Sequence, residues 1–451
     1  MSVDLRERLE QLATRAPEPA DTADLWRRGR VRQLRRTAAA VAATLVLALV
    51  AGVGVATLWT KIPDAVPTDE PARLVLPDRF FTPSVWLPGT DDKGPIGPLV
   101  AIMGAERKDW LGRSSNGLVG VGTDGTYRFL DLPEVTPYPD PWEFALSSDG
   151  RWLAYAYTGR PGGDPLMQEG GVDPYVGIAV YDTVTGRVLR HPIESEHGLS
   201  NDGLAWSGGV VWFSIWPYSD GGDASQGSSS TWQAELRWNP VTGDETLLSD
   251  FRESMTLALA GPAPQGLVTR ASRDRRGFAV TDEDQVRGYV RTDRYLTSQA
   301  VSPDGRRIVG TFDRTPSTSG SERLPLVVGR MPDLPARNPI AMRDVDAVAW
   351  QVLGWRDNSH VVATGRLARR DLPGVFAVDV DTGDAELVST FDTGFWAPNI
   401  IVASDVWAAP TVHAHEPGRP WDPRLTAGVI AIMVGCLVGA VVILRRRRVG
   451  P

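Results

Sequence analysis

Two kinds of hydrophobic pattern divide the chain. Residues 37–59 (TAAAVAATLVLALVAGVGVATLW) and 425–444 (LTAGVIAIMVGCLVGAVVIL) contain no charged side chain. At 1.5 Å rise per residue, either run as a helix would cross a hydrocarbon core of about 30 Å. Between them the apolar residues come in short runs or in alternation with polar ones, punctuated by Gly, Pro, Asp and Asn, which is the pattern of strands joined by turns. Few helical periodicities interrupt it, so the sequence predicts an all-β region between two transmembrane α-helices.

Two turn chemistries recur inside the β region. The first is an Asp/Asn-Gly type turn leading into a strand: SSDGRWLAYAY (147–157), SPDGRRIVGTF (302–312), WRDNSHVVATG (355–365) and, more loosely, WSGGVVWFSIW (206–216), SSNGLVGVG (114–122), APQGLVTRA (263–271) and ASDVWAAPTV (403–412). The second is a D/N-x-x-T-G turn between two strands: VYDTVTGRVLRH (180–191), RWNPVTGDETLL (237–248) and AVDVDTGDAELV (377–388). A short polar side chain caps such a turn, and Gly supplies the positive φ. Each repeat then reads strand, turn, strand, long loop, strand, turn, strand. Turn centres near Asn116, Asp149, Gly208, Gln265, Asp304, Asp357 and Asp405 lie 33 to 59 residues apart, a period that suits four-stranded blades.

On these residues the region 73–412 resembles the WD-repeat-like and TolB-type β-propellers, although no Gly-His and Trp-Asp pair recurs as in true WD repeats. The resemblance implies a six- or seven-bladed propeller. It implies nothing specific about function, because propellers host enzymes, scaffolds and binding modules alike. Ring closure would pair a strand from one end of the region with strands from the other, bringing the two chain ends together.

Charge sets the expected topology. Residues 1–36 carry nine basic and six acidic side chains, with Arg27, Arg28, Arg30, Arg32, Arg35 and Arg36 just ahead of the first apolar run, and Arg445–Arg448 directly follow the second. The positive-inside rule puts both ends in the cytoplasm. Residues 60–424 hold 34 basic against 49 acidic residues, so the region between the spans is acidic and nucleic acid is disfavoured as a partner. The resulting expectation is a two-pass plasma-membrane protein: tail 1–36, span 37–59, Pro-rich stalk 60–72, extracytoplasmic propeller 73–412, Pro-rich stalk 413–424, span 425–444 and tail 445–451. Gly54-Val55-Ala56 offers a signal-peptidase alternative for the first span, against which stands the length of the apolar run. Gly435 and Gly439 form a GxxxG pair suited to helix packing. Only three of the 47 basic residues are lysine, a bias typical of high-GC bacterial genomes of the actinobacterial kind.

Candidate chemistry is sparse. The single cysteine, Cys436, rules out an intramolecular disulfide, and no GxSxG, HExxH or Walker sequence occurs. His413 and His415 beside Glu416 have the spacing of a weak metal site, but they sit in a stalk, while Asp282, Glu283 and Asp284 and Asp379, Asp381 and Asp384 read as turn caps without EF-hand spacing. No catalytic residue, cofactor or metal is therefore expected. Long insertions fall at one place in the repeat, between second and third strands (158–175, 217–231, 313–325 and 365–374), and alternation of strand direction puts all four on one face. They carry the candidate recognition residues Arg160, Asp164, Asp220, Arg369 and Arg370, joined by Trp142 and Trp216 near loops, whereas most of the 16 tryptophans read as inter-blade packing.

The expected function is that of a binding or scaffold module for an envelope protein or polymer. The first alternative is a sensor acting through a cytoplasmic regulator on the N-terminal tail, where Leu5, Leu9 and Leu12 would line one helical face. The second is a propeller hydrolase or lyase, which would require carboxylates or histidines clustered at the central channel.

Overall fold

The computed structural model describes residues 73–422 except 110, 138, 140–142, 169, 201–202, 227–228, 249–254, 258–260, 283–284, 314–323, 333–337, 367–372, 393–399 and 421, with scattered residues of the flanks (6–8, 10–11, 31 and parts of 424–440). The chain divides into two compact units, residues 65–420 and a second made of 1–64 with 421–451.

The larger unit is an all-β propeller of six blades. Strands β1 (Leu76–Pro77) and β2 (Arg79–Phe80) precede β3 (Leu99–Lys108), β4 (Ser114–Gly122) and β5 (Tyr127–Phe129) of blade 1. Blade 2 is β6 (Phe144–Leu146), β7 (Trp152–Thr158), β9 (Tyr175–Asp182) and β10 (Val188–Pro192), with β8 (Leu166–Met167) in its long loop. Blade 3 is β11 (Leu204–Ser207), β12 (Val210–Ile215), β14 (Ala234–Trp238) and β15 (Glu245–Leu248), with β13 (Gly222–Asp223) in its loop. Blade 4 is β16 (Met255–Thr256), β17 (Val268–Ser272), β18 (Gly277–Thr281) and β19 (Val286–Arg291). Blade 5 is β20 (Tyr295–Val301), β21 (Arg307–Asp313), β22 (Leu324–Arg330) and β23 (Met342–Ala349). Blade 6 is β24 (Gln351–Trp355), β25 (His360–Arg366), β26 (Pro373–Asp379) and β27 (Ala385–Phe391). Every blade is an antiparallel meander.

The ring closes twice over. The C-terminal strand β28 (Ile400–Val402) pairs with β3 and becomes the innermost strand of blade 1, while β2 adds in parallel to the outer edge of β27 in blade 6. Strand β29 (Thr411–Val412) then lies parallel to β1, and Asp78 accepts the Ala414 N–H (2.9 Å) and pairs with His413 Nδ1 (2.8 Å). The chain ends of the propeller are therefore side by side, as the closure rule requires.

The turns explain why these residues make blades. Asp182 Oδ1 accepts the N–H groups of Val184 and Thr185, Asn239 Oδ1 those of Val241 and Thr242, and Asp379 Oδ1 those of Asp381 and Thr382, at 2.7–3.3 Å. In all three turns the following Gly takes φ between 74° and 82°. In the SxDG turns, Ser147 and Ser302 each donate to the Asp two residues on (2.6 Å) and accept an N–H from the next strand (2.9 Å). The same hydroxyl-to-carboxylate bond recurs at Ser272 and Asp274, where Arg275 rather than Gly takes the positive φ of 54°.

Six of the seven turn centres read from the sequence lie where an innermost strand ends. The seventh does not: Asn116 is inside β4, opposite Glu106, and the β3–β4 turn is formed by Asp109–Arg113. Gly117 has no positive φ; a Cβ there would meet the Phe129 ring at 2.8 Å, so the glycine serves close packing. Blade number is thereby six.

Each seam between neighbouring blades is filled by a cluster of buried apolar side chains, and the seam between blades 3 and 4 has the smallest one among the described residues: Ala205, Trp212, Leu257 and Val268. Trp238, Trp355 and Trp407 are likewise buried in seams, in keeping with the packing role read from their strand-like positions.

Among the described residues, no helix is long and apolar enough to cross a membrane. The span expected at 37–59 and Leu5, Leu9 and Leu12 lie outside the described residues, and 425–444 is described only in part, with 425, 428–430, 432–433, 435–437 and 439–440 helical. A Cβ built on Gly435 or Gly439 would meet nothing within 4 Å.

Candidate functional site

The meander fixes which connections share a face. Turns between first and second and between third and fourth strands lie on one face, while the connections between second and third strands lie on the other. The four insertions thus gather on the face opposite these turns.

Two of them are joined into a single platform. Strand β8 of the blade 2 insertion pairs in parallel with β13 of the blade 3 insertion, Leu166 with Gly222 and Met167 with Asp223. Gly221 makes this approach possible, since a Cβ there would meet the Asp164 carbonyl oxygen at 2.5 Å. The link between the blades ties in as well. Leu199 bridges both Tyr175 and Pro217, Leu166 N–H donates to the His197 carbonyl (3.0 Å), and His197 Nδ1 lies 2.6 Å from the Asp164 carbonyl. Gln168 Nε2 donates to the Tyr218 hydroxyl (3.2 Å), and Leu166 and Leu199 are buried beneath. Beside the platform runs an open groove of about 720 Å³, lined by Tyr157, Pro161, Val176 and Ile193 together with the charged Arg160, Glu194 and Glu196.

The candidate recognition residues distribute unevenly over this surface. Arg160, Asp164 and Asp220 are exposed on it, Arg160 in the groove wall and Asp164 at the β8–β13 junction. Trp216 departs from the expectation of an exposed ring: it is 4% exposed and packs against the Arg273 guanidinium, 5.9 Å from Cζ to the ring centre, because it follows β12 directly into the interior. Trp142, Arg369 and Arg370 lie outside the described residues, as do Trp110 and Trp396.

A second concavity runs along the propeller axis. This cavity of about 500 Å³ is lined by residues of all six blades: innermost strands of five of them (among them Phe144, Leu204, Thr297, Gln351 and Ile400), residues within 261–268 of blade 4, and the turn residues Ser148, Gly208 and Ser404. Among the described residues, no lining residue is Asp, Glu, His, Lys, Arg or Cys. Sequence reasoning missed this site, because each blade contributes a different residue type at the axis.

Burial pushes up the hydroxyl of Tyr157 in the groove wall, while the other titratable groups with displaced protonation equilibria lie away from both concavities. Burial pushes the Asp182 carboxyl up, but the Val184 N–H and the Arg151 guanidinium more than offset it, leaving the group below the usual carboxylate range. Backbone N–H groups of Thr382 and Asp381 likewise hold Asp379 low. Burial against Phe213 and Trp238 pushes His191 down, opposed by Glu245. Burial raises Glu235 to about 7 despite a two-pronged ion pair with Arg270 across the seam of blades 3 and 4. These are fold-building groups. Among the described residues no cluster of His, Cys, Asp and Glu could hold a metal ion; Asp381 instead accepts Arg307 (2.9 Å) and Arg343 (2.8 Å), and His413 pairs with Asp78.

No protein-family model and no curated protein matches the sequence. Among solved structures the chain is similar to one described as the mitotic checkpoint complex, at 12% identity over 57% of this chain and 68% of the other, with a TM-score of 0.35. It is similar also to TolB from Acinetobacter baumannii, at 12% identity over 68% of both chains, with a TM-score of 0.33. The propeller assignment itself follows from the sheet order and the ring closure.

Proposed function

We propose that this chain is a membrane-anchored binding module that displays its insertion face to a component of the cell envelope, protein or polymer, on the outer side of the cytoplasmic membrane. The observation that carries the reading is the platform of the blade 2 and blade 3 insertions. Insertions held together by strand pairing and buried leucines present a fixed surface, which is what recognition needs. The apolar runs at 37–59 and 425–444, with their arginine-rich flanks, would anchor the chain in the cytoplasmic membrane. Lipid is then a partner of the anchors, and the acidic exterior argues against nucleic acid. Among the described residues the channel lining carries no ionisable group of the kind the hydrolase or lyase alternative needs where substrate would sit.

In-cell crosslinking of the full-length protein followed by mass spectrometry tests the reading. Links from residues 158–175 or 217–231 to an envelope protein or polymer support it. Links confined to the Leu5–Arg36 tail and a cytoplasmic regulator would replace it with the sensor reading.

A further inference from the structure

The groove beside the platform combines apolar groups with carboxylates. Pro161, Val176 and Ile193 are half-buried in its lining beside the ring of Tyr157, while Glu194 and Glu196 are exposed. Its volume of about 720 Å³ lies inside the usual range of binding clefts, about 300–1,000 Å³. Close main-chain contacts fix its shape: the N–H groups of Gly162 and Gly163 donate to the carbonyls of Ser195 and Glu196 (3.0 Å each), and a Cβ on Gly163 would meet Glu196 Cγ at 2.8 Å. The N–H groups of Glu194, Ser195 and Glu196, by contrast, have no acceptor among the described residues. Charge around the groove is one-sided. Residues 158–175, 193–200 and 217–231, which build the platform and the groove, carry seven acidic side chains and one basic, Arg160. Among the described residues, the carboxylates of Asp164, Asp173, Glu194 and Asp220 have neither an ion-pair nor a hydrogen-bond partner.

We infer that the groove takes an extended segment of a partner protein in which lysine or arginine residues are interspersed with apolar ones. The inference rests on reading the insertion face as the recognition surface, and it names the partner chemistry that this face accepts. Three features select such a segment. Its apolar side chains would cover Pro161, Val176, Ile193 and the Tyr157 ring, removing that surface from water. Its cations would answer carboxylates that the chain itself leaves unpaired, and complementary charge of this kind sets specificity and speeds encounter. Its main-chain carbonyls would supply acceptors for the N–H groups of Glu194, Ser195 and Glu196, as in recognition by strand addition. An anionic polymer would meet the repulsion of seven carboxylates, and a neutral one would leave them unanswered. A small cation would satisfy the charge and leave the apolar wall in water.

The test selects binders from a random peptide library displayed on phage, using the full-length protein in nanodiscs of zwitterionic lipid, with empty nanodiscs to remove peptides held by lipid. Peptides that combine basic and apolar residues are expected to be enriched, and a synthetic peptide of that class should bind with a Kd of about 100 μM or below by fluorescence anisotropy. Glu194→Lys combined with Glu196→Lys should weaken it by about tenfold or more, less so at high salt. Arg160→Glu should strengthen it, and Glu386→Lys on blade 6 should leave it unchanged. Both groove glutamates are exposed, the Glu196 side chain to 79%, so the double variant should unfold at the same urea concentration as the wild type. Replacing the apolar residues of the peptide by glycine, with its charges kept, should also weaken binding by about tenfold, because charge alone does not fill the groove. The inference is overturned if no peptide is enriched, if the enriched peptides are acidic or uncharged, or if either the double reversal or the glycine peptide binds as tightly as its parent. In-cell crosslinks from 158–175 or 217–231 to an anionic or neutral polymer, with no basic peptide enriched, would overturn this inference and leave the platform reading standing. Crosslinks confined to the N-terminal tail, again with no peptide enriched, would remove both.

Discussion

The buried Glu235–Arg270 pair offers the sharpest test of how the ring is held. Glu235 lies on β14 of blade 3 and Arg270 on β17 of blade 4, with exposures of 0% and 1%. Arg270 directs both terminal nitrogens to the Glu235 carboxylate and its Nε to Thr281 Oγ1 (3.1 Å), and the Trp212 ring lies 5.2 Å from the Arg237 guanidinium carbon and 5.9 Å from that of Arg270. The pair thus spans the seam with the smallest apolar cluster. Burial raises Glu235 from its ordinary 4.5 to about 7, which makes the ionised carboxylate cost about 3 kcal/mol relative to the same group in the unfolded chain. A folded-state pKa above the unfolded one means that this group's contribution is most favourable below about 4.5 and declines as pH rises to about 7. Removing the arginine also removes the attraction and hydrogen bonds that oppose the rise. Arg270→Met should therefore destabilise the protein by about 3–5 kcal/mol at pH 8, with a smaller loss at pH 5, where Glu235 is protonated in both proteins. Arg270→Met combined with Glu235→Leu replaces the ion pair by apolar surface and should return stability to within about 1 kcal/mol of the wild type or above it. Urea unfolding of the full-length protein followed by tryptophan fluorescence gives both numbers. An Arg270→Met loss identical at pH 5 and pH 8, or a double variant no more stable than Arg270→Met, would refute the reasoning.

Three further outcomes follow from the geometry. Gly383→Ala should cost about 1–2 kcal/mol in urea unfolding, because its φ of 82° is left-handed and Asp346 Cβ stands 3.1 Å from the new methyl group. Asp182→Ala should cost about 1–3 kcal/mol near neutral pH, and the difference from wild type should shrink as pH falls through the range where Asp182 protonates, since a lowered folded-state pKa gives stability that acid removes. Gly221→Val should separate the two insertions, so that limited proteolysis cuts within 158–175 or 217–231 faster while the global urea midpoint moves little.

The turns were legible because their chemistry is local. Ser147 with Asp149 and Gly150, or Asp182 with Thr185 and Gly186, carry the whole turn within about five residues, so short segments announce strand ends and their order announces a meander. The insertions were legible for the same reason, as lengths between turns. Blade number was not, because Asn116-Gly117 reads as a turn until the ring of Phe129 is known to lie on Gly117. That contact is set by strand register, which short-range patterns leave open. Trp216 shows the same limit: its neighbourhood in sequence is a loop, and only its burial against Arg273 reveals a packing role.

Charge patterning failed for a different reason. In Ala234–Trp238 the alternation reads as one apolar face (Ala234, Leu236, Trp238) and one polar face (Glu235, Arg237), the usual mark of a half-exposed strand. A blade in a closed ring has no solvent face near its middle, because each side packs on a neighbouring blade. Once the ring is established, Glu235 and Arg270 must both be interior, and two opposite charges on facing strands of adjacent blades become a pair that the alternation alone conceals. The same geometry makes the axis hard to read. Each innermost strand gives one side chain or another to the channel according to its tilt and register, so Ser148, Trp206, Gln265, Gln351 and Ser404 share no motif. What unites them is position on a ring whose closure is made by β28, about 250 residues or more from the first blade's other strands, and chemistry assembled over that separation becomes visible only when the strands are placed.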